Sequence, residues 1–89
     1  MALVIQTNGA TQEVQPQRKH FTLQELQGLV GGYIEFIHLT DGRWLVVDED
    51  GKPKRLPVNI HATAMAGLPG DSIVGTVVVL SAADHKGIG

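Results

Sequence analysis

Alternating apolar and polar positions divide the chain into short strands and helices separated by glycine and proline. The apolar run Leu3–Ile5 is followed by Asn8-Gly9, a pair that favours a two-residue type I′ turn. Ala10–Val14 then reads as the returning strand, and Pro16, which has no N–H to donate to a ladder, ends it. The pattern predicts an N-terminal β-hairpin.

The clearest helical pattern covers Leu23–Val30. Thr22 precedes it and Glu25 stands three residues later, which is the spacing of a capping box. Phe21 and Leu26 occupy the two hydrophobic-staple positions that flank this box. We therefore expect the helix to begin directly after Thr22.

The remaining residues of this helix predict its buried face and its end. The apolar stripe is formed by Leu23, Leu26, Leu29 and Val30. Gly31 stands where a left-handed C-terminal residue is expected, and Gly32 lets the chain reverse and leaves space for neighbouring backbone. Gly28 costs the helix about 1 kcal/mol relative to alanine, and we interpret it as a point of close approach to a strand.

A second hairpin is predicted around Asp41-Gly42, between the strand-like runs "YIEFIHL" and "RWLVVDE". A two-residue turn would place Ile37 opposite Val46 and Glu35 opposite Asp48. A three-residue loop would instead place Ile37 opposite Leu45 and separate the two carboxylates. Apolar residues on both faces of this hairpin predict either coverage on both sides or an exposed apolar patch.

The last third reads as a helix followed by a strand. Asn59 can cap a helix over Ile60–Ala66, and Gly67 can end it. The run "SIVGTVVVL" is strongly β-forming, and its continuous apolar character is typical of a central strand. Ser81–Gly89 reads as a frayed polar tail outside a single domain of residues 1–80.

The element order β-β-α-β-β-α-β predicts an α+β fold with a mixed sheet. This order resembles the β-grasp, or ubiquitin-like, arrangement, in which the last strand lies parallel to the first at the centre of the sheet. A small, partly open barrel is the alternative.

Composition narrows the classes of protein. The chain has 89 residues, of which 43% are hydrophobic and 18% charged, and this favours one folded domain. It has no cysteine, a formal net charge of −2, no stretch long enough to span a bilayer and no signal-peptide pattern at its start. We expect a cytoplasmic protein that neither binds membranes nor is drawn to nucleic acid by its overall charge.

Several features of residues 20 to 80 resemble a known family. They are "GGYIE" after the first helix, a hairpin followed by a Leu-Pro link, Asn59 with Ala62 and Thr63, and Asp71 before "IVG". In this order they resemble DUF3846, a domain-of-unknown-function family of small proteins from phages, mobile elements and bacteria. The resemblance implies a phage or mobile-element origin and supplies no catalytic residues.

The sequence contains little that indicates catalysis. No two of the four histidines stand at a metal-ligand spacing, and no nucleophile motif is present. Glu35 and Asp48 could act as an acid–base pair in one hairpin register, but we interpret both as exposed strand residues. We therefore expect a protein that is not an enzyme and has no cofactor or metal.

Two groups of residues are candidates for binding. The N-terminus of the second helix follows three basic residues and could hold a nucleotide-like anion; the alternative is that Asn59 only caps that helix. The residues of this candidate site are Lys52, Lys54, Arg55, Asn59, His61 and Thr63. The second group is Tyr33, Glu35 and Trp44 on the central hairpin. Tyr33 and Trp44 are the large amphipathic aromatics, and Trp44 is interpreted as core unless it lies exposed as a contact for a partner.

The leading hypothesis is a non-enzymatic phage-type accessory protein that binds a host protein or its own copies. A nucleotide-like small molecule is the first alternative ligand. Nucleic acid is the second alternative and would require the basic residues to share one face. Those residues are Arg18, Lys19, Arg43, Lys52, Lys54 and Arg55.

Overall fold

The computed structural model describes residues 1–88 as five strands and three helices. The elements in chain order are β1 (Ala2–Ile5), β2 (Thr11–Val14), α1 (Leu23–Val30), β3 (Ile34–His38), β4 (Trp44–Asp48), α2 (Ile60–Ala66), β5 (Val77–Leu80) and α3 (Ala82–Lys86). The α+β class and the predicted order of the first seven elements are confirmed. Gly89 lies outside the described residues.

The strands form one open sheet with the order β2-β1-β5-β4-β3. The prediction of a central last strand is confirmed, since β5 lies between β1 and β4. The mixed sheet and the β-grasp arrangement are wrong, because β5 is antiparallel to both neighbours, with Ala2 opposite Leu80 and Trp44 opposite Leu80. Apolar patterns report how deeply a strand is buried but not its direction, so they fit both arrangements. The barrel alternative is also wrong, because β2 and β3 are free ends of the sheet.

Each face of the sheet is covered by its own apolar cluster. The α1 side contains Leu26 and Val30 of α1 packed on alternate strand residues such as Val46 and Val78. The α2 side contains Ala62 of α2 packed on the residues between them, such as Leu45. Side chains of a strand alternate between faces, so the continuous apolar runs of β4 and β5 supply both clusters. Of the two alternatives for the central hairpin, coverage on both faces is therefore correct.

Both hairpins have three-residue loops. In the central loop, the Leu39 N–H donates to the Arg43 carbonyl at 2.8 Å, and Ile37 lies opposite Leu45, as the longer-loop register requires. In the first loop the predicted type I′ turn is wrong. Only Gly9 of the Asn8-Gly9 pair has positive φ, at 88°, because the Asn8 side chain instead accepts the Ala10 N–H at 2.9 Å.

The first helix begins and ends at the predicted residues. Thr22 Oγ1 accepts the Glu25 N–H at 3.1 Å, and the Glu25 carboxylate accepts the Thr22 N–H at 3.0 Å. Hydrogen bonds from the Gln17 and Thr22 backbones lower the pKa of Glu25. Gly31 ends the helix in the left-handed region with φ 95°. The capping box and the C-terminal glycine are confirmed.

Two details of α1 differ from prediction. Leu23 is exposed, because the first position of the helix lies beyond the apolar cluster that holds Leu26 and Val30. A Cβ placed on Gly28 would meet nothing within 4 Å, so close approach to a strand does not explain that glycine. Gly32 leaves space for side chains instead of backbone, since its Cβ would lie 2.6 Å from Lys54 Nζ.

Residues 81–88 are structured where a polar tail was expected. Ser81 caps α3 by accepting the Asp84 N–H at 3.0 Å. The His85 ring stacks on Trp44 at a centroid distance of 3.8 Å, and Ile88 packs against the cluster on the α1 side. The contacts of His85 and Ile88 join residues distant in sequence, so no local pattern reveals them, whereas the Ser81 cap is a local signal that the sequence analysis did not use.

Candidate protein-binding surface

Asn59 fixes helix α2 through buried hydrogen bonds. Its side chain is fully buried, and its Oδ1 accepts the Ala62 N–H at 3.0 Å, as a helix cap does. Its Nδ2 donates to the Ile5 and Gly75 carbonyls, both at 3.0 Å. Asn59 therefore joins α2 to β1 and to the segment before β5, and its polar atoms face the protein interior.

Thr63 extends the same network. Its Oγ1 accepts the Ile73 N–H at 2.9 Å and lies 2.8 Å from the Asn59 carbonyl, to which it can donate. Two residues of the candidate anion site are thus used to attach α2. His61 remains exposed at the other side of the helix, beside Gly9. Neither cavity described below is lined by Asn59, His61 or Thr63.

The outer side of α2 is apolar. Ile60 is 72% exposed, and Val58 before the helix and Leu68 after it are 49% and 44% exposed. Ala64, one turn after Ile60, is also exposed. The whole stretch Pro57–Gly70 contains no Asp, Glu, Lys or Arg. We call Val58, Ile60, Ala64 and Leu68 the α2 face.

The sequence analysis missed the α2 face, although a signal was present. An isolated exposed aliphatic residue is ordinary, but a helix that is apolar all round is usually buried. The uncharged stretch around α2 was that signal. Capping residues place the ends of α2 but do not indicate which of its sides faces the sheet.

A cavity of about 270 Å³ lies on the α2 side of the sheet and holds two more candidate residues. Glu35 of β3 lines it beside Asp48, and Lys52 lines it from the loop after β4. Lys52 forms an ion pair with Asp71, whose pKa the Lys52 hydrogen bond lowers. The cavity therefore combines several carboxylates with an ammonium group that is already paired.

Glu35 and Asp48 do not face each other across the hairpin, since their partners are Val47 and Ile34. Asp48 is also buried, contrary to the exposed position expected for it. Burial raises the pKa of its carboxyl, but hydrogen bonds from Lys54 Nζ, at 2.8 Å, and from the Asp50 N–H outweigh that effect. The net result is a lowered pKa, so Asp48 is a structural anion.

A broad hollow of about 500 Å³ lies between α1 and the loop after β4. Tyr33, 69% exposed, borders it. Gly28 and Gly32 give it a backbone floor, and Lys54 closes one side while remaining bonded to Asp48. The hollow thus combines an exposed aromatic ring and two glycines with the polar side chains of Gln27, Asp50 and Lys54.

Trp44 is partly buried between two histidines. The His38 ring stacks on one side at a centroid distance of 4.3 Å, and the His85 ring stacks on the other at 3.8 Å. The indole also packs against the cluster on the α1 side. Trp44 therefore joins α3 to the sheet, which agrees with the interpretation of this residue as core.

Three of the six candidate basic residues are neutralised by carboxylates. Arg43 contacts Asp41 at 2.7 Å, Lys54 contacts Asp48 at 2.8 Å, and Lys52 contacts Asp71. Arg55 is exposed in a left-handed turn with φ 58°. Ion pairing of this extent weakens the argument for nucleic-acid binding, which depends on free cations.

Residues 1–88 offer neither a metal-binding cluster nor a membrane-spanning helix. Within this part of the chain, no three His, Cys, Asp or Glu side chains lie in a group that could hold a metal ion. The helices in the same range are all too short or too polar to span a bilayer.

Together these elements define a small α+β domain whose open, five-stranded antiparallel sheet has helices on both faces. The chain belongs to the family described as Domain of unknown function (DUF3846), which matches residues 1–88. The family resemblance noted over residues 20 to 80 is thereby confirmed. In comparisons with curated proteins and with solved structures, nothing matches.

Proposed function

We propose that this protein is a non-enzymatic accessory protein of a phage or mobile element, which acts in the host cytoplasm by binding another protein. The α2 face is the observation that carries this proposal. Ile60 and Ala64 stand four residues apart on α2, the spacing at which a helix presents anchors to an apolar groove, and Leu68 extends the exposed apolar surface just after the helix. The partner we propose is a protein with such a groove.

The fold itself does not require an apolar outer side on α2. Ala62 and Asn59 attach the helix from its inner side, and Ile60 points away from them with 72% of its surface exposed. Burying an exposed aliphatic side chain of this size contributes about 1.5–3 kcal/mol. Ala64 between two larger residues lets a partner approach the helix closely.

Affinity capture with matched variants tests this proposal. The wild type, Ile60→Asp and Gln24→Asp would each be immobilised and exposed to a bacterial host lysate. Gln24 is exposed on α1, so its variant adds the same charge on the other side of the sheet. We expect a specific protein to be retained by the wild type and Gln24→Asp and lost with Ile60→Asp. Equal retention by all three would contradict binding through the α2 face.

A second candidate function is binding of a nucleotide-like small molecule in the hollow beside Tyr33. The exposed tyrosine ring, which lines the same hollow as Gly28 and Gly32, favours stacking of a planar base. Binding to the folded state must raise the unfolding temperature, by an amount set by ligand concentration relative to its dissociation constant. Thermal-shift assays with nucleotides should therefore stabilise the wild type but not Tyr33→Ala. Equal shifts in both proteins, or none in either, would exclude this site.

A further inference from the structure

Strand β3 is an edge of the sheet with an unoccupied backbone side. At its two ends, the Glu49 N–H donates to the Tyr33 carbonyl at 2.9 Å and the Leu39 N–H donates to the Arg43 carbonyl at 2.8 Å. Backbone groups in an antiparallel ladder point alternately towards and away from the partner strand. The groups that point away from β4 therefore belong to Ile34, Phe36 and His38. Within residues 1–88, no other strand pairs with them.

The two edges of the sheet differ in their protection. Strand β2 is polar along most of its length and is followed by Pro16, two features that discourage further pairing. Strand β3 has the sequence IEFIH, without proline or lysine, and its apolar side chains are only partly buried. The β3 edge is thus the side on which a sixth strand can be added.

The cavity on the α2 side adjoins this edge, because Glu35 and Ile37 of β3 form part of its wall. Side chains of an added strand would alternate between the faces of the sheet, and every second one would extend over the cavity. Aliphatic groups of Ile37 and Ile73 line it together with charged groups. It can therefore receive a side chain that has both an apolar stem and a polar tip.

The charge of the cavity selects that side chain. Glu35, Glu49 and Asp71 line the cavity, whereas the Asp48 carboxylate turns to the other face of the sheet, where it meets Lys54. Lys54 pairs with Asp48 and Lys52 pairs with Asp71. Within the described residues, Glu35 and Glu49 have no ion-pair partner. An incoming lysine or arginine would meet two uncompensated carboxylates and form charge-assisted hydrogen bonds.

The same charges argue against a second copy as the added strand. If two β3 strands paired antiparallel about Phe36, Glu35 would stand opposite Ile37 of the other copy. Both acidic cavities would then lie side by side on one face of the joined sheet. Like charges at that spacing repel, and each chain already has a net charge of −2.

We propose that the free edge of β3 binds an extended segment of a partner protein as a sixth strand, with a lysine or arginine side chain seated in the acidic cavity. Backbone hydrogen bonds supply binding along the strand, and the cavity supplies selectivity. This site is separate from the α2 face, and each can fail without the other.

The test uses synthetic seven-residue peptides and the full, isotope-labelled chain observed by NMR. The probe is TVTRTVT with blocked ends, whose valine and arginine side chains share one face of a strand. The matched control is TVTETVT. We expect the arginine peptide to shift the amide signals of Ile34, Phe36 and His38 and to bind roughly tenfold more tightly than the glutamate peptide. Raising the salt from about 50 to about 500 mM should weaken this binding.

Backbone pairing is tested by two N-methylated forms of the arginine peptide, one methylated at odd and one at even positions. Only one set of N–H groups faces β3, so one form should lose binding and the other should keep it. Glu35→Gln combined with Glu49→Gln should weaken binding at least about threefold, whereas Glu13→Gln on the β2 edge should not. Ile60→Asp should bind the peptide like the wild type.

Four results would overturn the proposal. They are the absence of shifts at the β3 edge up to about millimolar peptide, equal binding of the arginine and glutamate peptides, equal behaviour of the two N-methylated forms, and movement of the same signals when the protein alone is concentrated. The last result would mean that a second copy occupies the edge.

Discussion

Helices α1 and α2 lie on opposite faces of the same sheet and are built by the same local rules. Each has an N-cap side chain that accepts the N–H three residues later, from Glu25 in α1 and from Ala62 in α2. Each ends at a left-handed glycine, Gly31 or Gly67. Their exposed sides differ, since Gln24 and Gly28 face water on α1 whereas Ile60 and Ala64 do so on α2.

The two helices are also attached to the sheet by different forces. Leu26 and Val30 of α1 are buried in the cluster on their side, and each such burial contributes about 1.5–3 kcal/mol. In α2 the fully buried apolar side chain is the small Ala62, and the hydrogen bonds of Asn59 and Thr63 supply much of the attachment. The difference teaches that α2 leaves Ile60 exposed and is held by a polar network together with partial packing of Met65 and Ala66.

The largest effect is expected from removing that network at its centre. Asn59→Ala deletes the cap of α2 and leaves the Ile5 and Gly75 carbonyls buried without their donor, so the free energy of unfolding should fall by about 2–4 kcal/mol. Denaturant unfolding measures this loss. Asn59→Asp keeps the cap acceptor but not the donors. Its loss of unfolding free energy should lie between those of the wild type and Asn59→Ala only if another group pairs with the buried carboxylate. A loss below about 1 kcal/mol for Asn59→Ala would mean that apolar contacts hold α2 after all.

Sequence patterns predicted the helices better than the sheet. Capping residues and left-handed glycines act within a few positions, so both helices were placed at their correct residues. Strand direction and the docking of α3 depend on contacts between distant positions, such as Ala2 with Leu80 and Trp44 with His85. No pattern within a short window contains that information.

The candidate site was predicted less well, for a related reason. Asn59 and Thr63 have side chains that suit either a ligand or an internal hydrogen bond, and the choice depends on whether buried carbonyls lie within reach. The sequence could not show that Ile5 and Gly75 place theirs beside Asn59. Tyr33 and Lys54 do share one hollow, and Glu35 and Lys52 share the cavity on the α2 side, so the fold brings together two pairs of the predicted set.

A smaller loss is expected at the end of α1. Gly31 has φ 95°, a region that costs a residue with a side chain roughly 1 kcal/mol, so Gly31→Ala should lower the free energy of unfolding by about that amount. Binding by the folded protein should persist. The rival interpretation is that Gly31 and Gly32 let a ligand approach the backbone. It predicts the reverse, with stability nearly unchanged and binding lost, so both quantities should be measured.

Gly32→Ala is the companion variant. Its Cβ would lie 2.6 Å from Lys54 Nζ and 3.0 Å from Asp48 Oδ2, so the ion pair must move aside. We expect Gly32→Ala to lower the free energy of unfolding at acidic pH by no more than it does at neutral pH. Asp48 has a lowered pKa in the folded state, so its contribution exists above the unfolded pKa and disappears as pH falls through the folded value. A loss that grew on acidification would show that the ion pair is not what the side chain disturbs.

A gain of similar or smaller size is expected within α1. Gly28 is exposed and a Cβ there would meet nothing within 4 Å, so Gly28→Ala should stabilise the protein by up to about 1 kcal/mol through helix propensity. The unfolding midpoint measures it. If Gly28 also serves as the floor for a ligand beside Tyr33, the same variant should weaken nucleotide binding while raising stability. Lower stability would instead indicate a packing role.

The smallest effect on stability is expected at the α2 face. This variant tests most directly the difference between the exposed sides of the two helices. Ile60 is 72% exposed at the first position of α2, where an acidic side chain is favourable to the helix dipole. Ile60→Asp should therefore change the free energy of unfolding by no more than about 0.5 kcal/mol while abolishing capture of the partner. Leu26→Ala in α1 is the contrasting variant, since loss of a buried leucine costs about 2–5 kcal/mol. If Ile60→Asp destabilised the fold as much as Leu26→Ala does, Ile60 would be a packing residue, and its exposure would no longer support partner binding at the α2 face.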